Sequence, residues 1–462
     1  MNKSKKMSRR ELLRHSITTS LACSISGPSK AFAQRLGPYE GKCLVSLELR
    51  GGADATQWCD PKTNTPGEKK INNWADIDEP GQAGNIAYAP VADNEWLFRR
   101  FGADMLVING VDAQTNSHAT GRLFNWTGSN SEGKPSLTAL HAAGSARDQA
   151  LAYSVFGGLS RTANLINYSI FDNVSQLKTL AEPRKSYQQR GGRQGEFYDG
   201  KRRQVEFDFV DHVNSAEMTE PLQPDSMSPR RLASLERFRS ARAIRPDLAA
   251  LTDIFPSAET IATEDNFKVG SNRIWSTLKN QMQGALLIFK SGLGASADIA
   301  LDHFDTHKDH DAQHEVLYTH LADALDFFWN YAEELGIADR ILLVIGSDFG
   351  RTNFYNDGEG KDHWPVGSSI IMERNAPWGN RVVGLTDELH FAKRINPTTL
   401  REDPSGIIIT PAHVHKALQN YLGLDTFAED MGLDLKGVET LPLFDSSLQS
   451  VGGLSPYARG IW

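Results

Sequence analysis

Apolar residues in this chain gather into short continuous runs more than into alternating ones. Cys43 to Leu49 (CLVSLEL), Met105 to Val111 (MLVINGV) and Arg340 to Gly346 (RILLVIG) are mostly aliphatic, and each runs into glycine or small polar residues. Runs of this length predict strands covered on both faces. Residues 119–126, 272–290 and Ala312 to Leu335 read as helices, and Ile299 to Phe304 reads as a further short strand. Strands alternating with helices predict an α/β fold, a mainly parallel sheet sandwiched by helices.

Ligands of such sheets bind beyond the carboxyl ends of the strands. Candidate polar residues fall at those ends. Asp54 follows the Gly51-Gly52 turn after the first strand, Ser117 and His118 follow the second, Asp305 and His307 come next, and Asp348 follows the run Arg340 to Gly346. The glycines allow a close backbone approach to a metal or substrate, or simply make a tight turn.

Two stretches depart from the pattern. Residues 183–245 are rich in Arg and Gln and include Gln188 to Arg193 (QQRGGR) and a helical stretch from Arg230 to Arg242. They read as an insertion over the sheet, either a lid or partner surface or a run of solvated charge. The N-terminus carries Arg9-Arg10 before Leu12-Leu13, a weakly apolar stretch from His15 to Gly27, and Ala31-Phe32-Ala33 before Gln34. This order predicts a twin-arginine signal over residues 1–33, export by the twin-arginine translocase, and a periplasmic or secreted protein. Residues 34–462 are then expected to form one α/β domain. Cys23 follows Ser20-Leu21-Ala22, a poor lipid-attachment context.

Composition narrows the function classes. Of 462 residues, 40% are hydrophobic and 23% charged, which provides ample core material and excludes wholesale disorder. No uncharged apolar run reaches the ~18 residues a membrane-spanning helix needs. The formal charge is −8, and without the basic leader 42 Lys and Arg face 56 Asp and Glu, a charge of −14. General nucleic-acid binding, which wants a basic footprint, is not expected. Cys43 and Cys59 remain after cleavage; an oxidising compartment permits a disulfide, and two unrelated buried thiols fit as well.

Asp54, Asp305 and Asp348 with His118, His307 and His363 form an N/O donor set suited to one or two divalent ions of Zn, Mn, Fe or Ca. His303, His310 and His314 lie in the same stretch as His307, with Asp311 as the expected N-cap of the following helix, and are read as supporting or surface residues. Arg122 and Arg351 carry planar forks suited to phosphate or sulfate oxygens, or to ion pairs. Asp362 is a further ligand or an acceptor for His363, and Trp364 and Pro365 wall the pocket or pack. Phosphate-binding glycine loops, the GxSxG elbow and CxxC pairs are absent from the sequence.

Phe304-Asp-Thr-His, Gly346-Ser-Asp-Phe-Gly-Arg-Thr and Gly360-Lys-Asp-His-Trp-Pro, in that order, resemble an exported bacterial family of the alkaline-phosphatase-like superfamily, the domain of unknown function 1501. Gly384-Leu-Thr-Asp and Thr410-Pro-Ala-His-Val-His extend the resemblance, which runs from about Leu44 to Leu424 and weakens across 183–245. It implies metals at the strand ends and chemistry on phosphate or sulfate esters. Asp54, Asp305, His307, Asp348 and His363 match the ligand positions, with two departures. Phe349 stands where the superfamily commonly has a histidine, and His118 stands where a formylglycine precursor would be. His118 is accordingly expected to ligate metal, with metal-activated water or Ser117 as nucleophile. The expected activity is hydrolysis of anionic esters, phosphate before sulfate, on a small ester or surface polysaccharide. The alternative is a non-catalytic exported metal-binding protein that binds or assembles cell-surface material.

Overall fold

Along Cys43–Leu49 (β1), Cys43, Val45, Leu47 and Leu49 pack into one apolar layer, while Leu44 packs into another on the opposite face of the strand. Strand geometry turns successive side chains to opposite faces, so a strand apolar at nearly every position has to lie between two layers. The computed structural model describes residues 37–181, 248, 250–269, 272–448 and 450. The leader of residues 1–33 and the whole of the 183–245 segment lie outside the described residues.

After β1 come the helix Asn94–Phe101 (α1), the strand Met105–Asp112 (β2) and the helices His118–Thr127 (α2) and Leu137–Ser145 (α3). Short strands Tyr153–Val155 (β3) and Ser169–Ile170 (β4) follow, then Leu278–Lys290 (α4), Ser296–Leu301 (β5) and His310–Glu334 (α5). Ile341–Ser347 (β6), Val366–Met372 (β7), Arg381–Val383 (β8) and Pro411–Tyr421 (α6) complete the elements that frame the site. The eight strands form one sheet in the order β8-β2-β7-β6-β1-β5-β3-β4. All its pairings are parallel except the two that β7 makes, with β6 and β2. The mainly parallel α/β fold read from the sequence is the fold observed.

Phe98 of α1, Leu286 and Phe289 of α4, and Leu321 and Phe328 of α5 close one face of the sheet. Trp126 of α2, Leu140 of α3, and Val414 and Leu418 of α6 close the other. Each fully buried aliphatic side chain contributes roughly 1.5–3 kcal/mol of transfer free energy.

Strand direction decides where the chemistry gathers. β1, β2, β5 and β6 run the same way, so the segments after Leu49, Asp112, Leu301 and Ser347 emerge at one edge. β7 runs against them, which brings the residues before Val366, His363 among them, to that same edge.

Two local readings are corrected and one open alternative is decided. Asn272–Ser276, read as the start of a helix, pairs antiparallel with Asp265–Val269, and the helix begins at Leu278. The long helix begins at His310 with Asp309 as its N-cap, while the Asp311 carboxylate accepts from Tyr355 and Asn73. Cys43 and Cys59 are both buried free thiols. Among the described residues no helix is long and apolar enough to cross a membrane.

Candidate metal centre

Three imidazoles and one carboxylate converge at that edge. Asp305 lies after β5, and its Oδ1 is 3.0 Å from His307 Nε2 and 3.1 Å from His363 Nε2, while its Oδ2 is 3.4 Å from His118 Nε2. His307 Nε2 and His363 Nε2 are themselves 3.1 Å apart. One donor atom from each of His118, Asp305 and His363 fits within a 4.8 Å group.

The other nitrogen of each ring has a fixed partner. His118 Nδ1–H donates to Asp348 Oδ2 (2.7 Å), His307 Nδ1–H to Asp362 Oδ1 (2.7 Å) and His363 Nδ1–H to the Asn116 carbonyl (2.8 Å). A carbonyl or carboxylate oxygen accepts, which assigns the proton of each neutral ring to Nδ1 and leaves Nε2 as a bare lone pair. Three such lone pairs facing one carboxylate repel one another unless a cation lies among them. Metal-ligating histidines are held this way, by an oxygen acceptor on the far ring nitrogen. The residues therefore fit a metal ion, and three nitrogens with a carboxylate suit Zn, Mn or Fe better than the oxygen-seeking Ca.

The surroundings tighten the arrangement. Burial pushes the Asp305 carboxyl up, but the hydrogen bond and charge of Arg351 lead the interactions that outweigh it and hold it down at about 2. Asp305 is thus an anion at neutral pH. Asp348 is buried, and its Oδ1 has no hydrogen-bond donor among the described residues. Gly51, at φ +119°, lies so close to the Asp305 loop that a Cβ would fall 2.4 Å from the Asp305 backbone nitrogen. Phe349 is buried against two of the imidazoles, its ring centroid 4.8 Å from that of His118 and 4.5 Å from that of His363.

A family model described as protein of unknown function (DUF1501) matches residues 41–426. The chain belongs to the DUF1501 family. No curated protein matches it. Among solved structures, this DUF1501 protein is similar to the PsFucS1 sulfatase from Pseudoalteromonas sp., at 11% identity over 96% of this chain and 78% of that one, with a TM-score of 0.37. It is also similar to the putative sulfatase yidJ from Bacteroides fragilis, at 8% identity over 85% and 76% of the two chains, TM-score 0.36. A phosphonate monoester hydrolase of Agrobacterium radiobacter gives 12% identity over 86% and 78%, TM-score 0.30.

Several expected roles meet a different geometry in this DUF1501 chain. Asp54, expected among the ligands, is fully buried, and its carboxylate accepts from Lys361 Nζ (2.6 Å), His310 Nε2 (3.0 Å) and both the backbone N–H and hydroxyl of Thr56. Arg122, expected to grip an ester, holds both oxygens of the buried Glu48 through Nε and Nη2. Arg351 is fully buried and donates to the Gly51, Gly52 and Lys361 carbonyls and to Asp305, so it braces a ligand. Asp348 and Asp362 meet the cluster through His118 and His307, and Asp362 serves His307 where His363 was the expected partner.

Ser117 is the exposed N-cap of α2, and its side chain makes no cap hydrogen bond. His310 and His314 are both buried beside Asp54, and His303 is exposed at φ +86°. Trp364 packs edge-on against Phe391 (5.1 Å), and its indole N–H donates to the His390 carbonyl (3.1 Å). Sequence reasoning missed the Asn116 carbonyl and Lys361.

Proposed function

We propose that this protein is an exported, metal-dependent hydrolase of anionic esters, phosphate before sulfate, built as a single α/β domain over residues 34–462. The observation that carries this reading is the convergence of His118, His307 and His363 Nε2 on Asp305, each ring fixed by an acceptor at Nδ1. His118, His307, His363 and Asp305 would hold one divalent ion, with Asp348 and Asp362 orienting two of the rings. Bound there, a divalent cation supplies positive charge against an ester oxygen and lowers the pKa of water.

The chain's own contributions are positional. Arg351 keeps Asp305 ionised and aimed into the cluster. The N-terminus of α2 begins at the ligand His118, where free backbone N–H groups and the helix dipole favour an anionic group. Ser117 stands beside His118 with its hydroxyl exposed, so it is the side chain available as nucleophile if water does not attack.

One observation favours the second reading, a non-catalytic metal-binding protein that binds or assembles cell-surface material. Both arginines expected to grip the ester are committed to protein acceptors. Purified mature protein separates the two. Elemental analysis is expected to give one transition-metal equivalent per chain, with turnover of phosphate or sulfate monoesters lost in folded Asp305→Ala; loss in folded Ser117→Ala assigns the nucleophile to Ser117 and retention assigns it to water. Metal without turnover on any such ester supports the second reading, and folded protein devoid of metal in every preparation rejects both.

A further inference from the structure

A second polar cluster lies behind the first and is sealed from solvent. Asp54, Thr56, Asn72, Thr306, His310, His314 and Lys361 are each at most 1% exposed. Lys361 Nζ sits 2.6 Å from Asp54 Oδ2, 3.1 Å from Asn72 Oδ1 and 3.2 Å from Thr56 Oγ1. A carboxylate, an amide oxygen and a hydroxyl around one point are the ligands of a hard cation. Here the cation is an ammonium on its own tether.

The two imidazoles complete a closed loop around Asp54. The Asp54 N–H donates to His314 Nε2 (3.3 Å), so His314 Nδ1–H donates to Thr306 Oγ1 (3.2 Å). The Thr306 hydroxyl donates to His310 Nδ1 (2.7 Å), and His310 Nε2–H donates to Asp54 Oδ2 (3.0 Å). Both rings are neutral in this loop, so the cage contains one carboxylate and one ammonium.

The cage is joined covalently to the metal centre at two places. Thr306 lies between Asp305 and His307, and Lys361 directly precedes Asp362 and His363. Gly360 packs so tightly on the His307 carbonyl that a Cβ would fall 2.0 Å from it. A buried ion pair is weak evidence of net stabilisation, and its best-attested use is to fix register. Register is what the segment 360–363 requires.

We propose that Lys361 is a built-in cation: its ammonium occupies the cage beside Asp54 in place of a second metal ion, and so positions Asp362 and His363 for a centre that takes one ion. This rests on the reading that His118, His307, His363 and Asp305 bind metal.

Cobalt(II) titration of the purified mature protein, read by elemental analysis and the visible absorption of the bound ion, tests it. Wild type is expected to take up one equivalent. Lys361→Ala empties the cage and is expected to take up two, with a changed absorption for the first, and Asp54→Asn with Lys361→Ala should return to one. The uncharged pair Asp54→Asn with Lys361→Met preserves volume and guards against misfolding of the alanine variants. It should bind one cobalt about tenfold to a hundredfold more weakly than wild type, the range for losing a partner that orients a ligand. Two equivalents in wild type with one lost in Asp54→Asn would overturn the proposal. So would a folded Lys361→Ala, or a folded Asp54→Asn with Lys361→Met, that matches wild type in stoichiometry, affinity and absorption. Wild type that binds no cobalt instead refutes the metal reading itself.

Discussion

The two clusters at this edge of the sheet are built from the same residue types and reach opposite electrostatic conclusions. Around Asp54 every ring nitrogen of His310 and His314 has a complementary partner, and among the described residues of the cage one cation, Lys361, already faces one carboxylate. Around Asp305 the three Nδ1 positions are satisfied from outside, so the three Nε2 positions of the neutral rings turn lone pairs inward. A closed network rigidifies, whereas an open set of lone pairs recruits a cation. Histidine and aspartate content alone does not separate structural polarity from a binding site. The direction of each proton does.

The largest effect that would break this contrast is removal of the inward carboxylate. Asp305→Ala deprives the buried Arg351 of its carboxylate, so folding is checked first, and the folded variant is expected to fall from one metal equivalent to none by elemental analysis. Retention of a full equivalent would transfer the binding role away from the outer cluster. In the inner cluster the same change strikes stability instead. Asp54→Ala leaves the Lys361 ammonium buried and unpaired, and is expected to cost ~3–5 kcal/mol in denaturant unfolding at pH 7. A loss below about 1 kcal/mol would mean that the pair does not carry the cage.

A smaller change sharpens the outer site. Asp362→Ala removes the acceptor that holds His307 Nδ1, and metal affinity is expected to fall about tenfold to a hundredfold with little change in melting temperature. Unchanged affinity would mean that His307 is not a ligand.

Part of this was legible in the sequence and part was not, for physical reasons. Continuous apolar runs fixed the buried strands, and the rule that sites lie beyond strand ends selected His118, Asp305 and His307. His363 was reached through its motif alone, because nothing in a single chain's periodicity says that Val366–Met372 runs against its neighbours. The partners of Asp54 were hidden for the same reason, since Lys361 arrives on that reversed segment. Arg122 was left between an ester clamp and an ion pair although a deciding signal existed. Glu48 is the one charged residue of the otherwise largely apolar β1, and a carboxylate buried in such a strand requires a cationic partner. Asn272–Ser276 was read as helix because its strand partner Asp265–Val269 leaves no trace in local spacing.

The smallest expected effect is a pH dependence of stability that belongs to the inner cluster. Burial pushes His314 well below the usual imidazole value of 6.5, with the adjacent His310 adding to it. Burial likewise lowers His310 against the pull of Asp54. Below pH 6.5 the unfolded chain takes up protons at these rings that the native chain refuses, so the unfolded state binds more protons and acid lowers stability. For each ring the contribution is present above 6.5 and is lost as pH falls toward the depressed native value, at about 1.4 kcal/mol per pH unit. Burial pushes Asp54 up, but Lys361 and His310 outweigh it and hold the carboxyl well below 3.8, which gives the same sign at lower pH. Replacing His314 by Gln removes one titrating ring, so urea unfolding between pH 6.5 and 5 should lose about one proton of slope relative to wild type. An unchanged slope would mean that His314 accepts a proton in the folded protein. The closed loop through Thr306 would then be open, and the distinction between the two clusters would fail at its inner member.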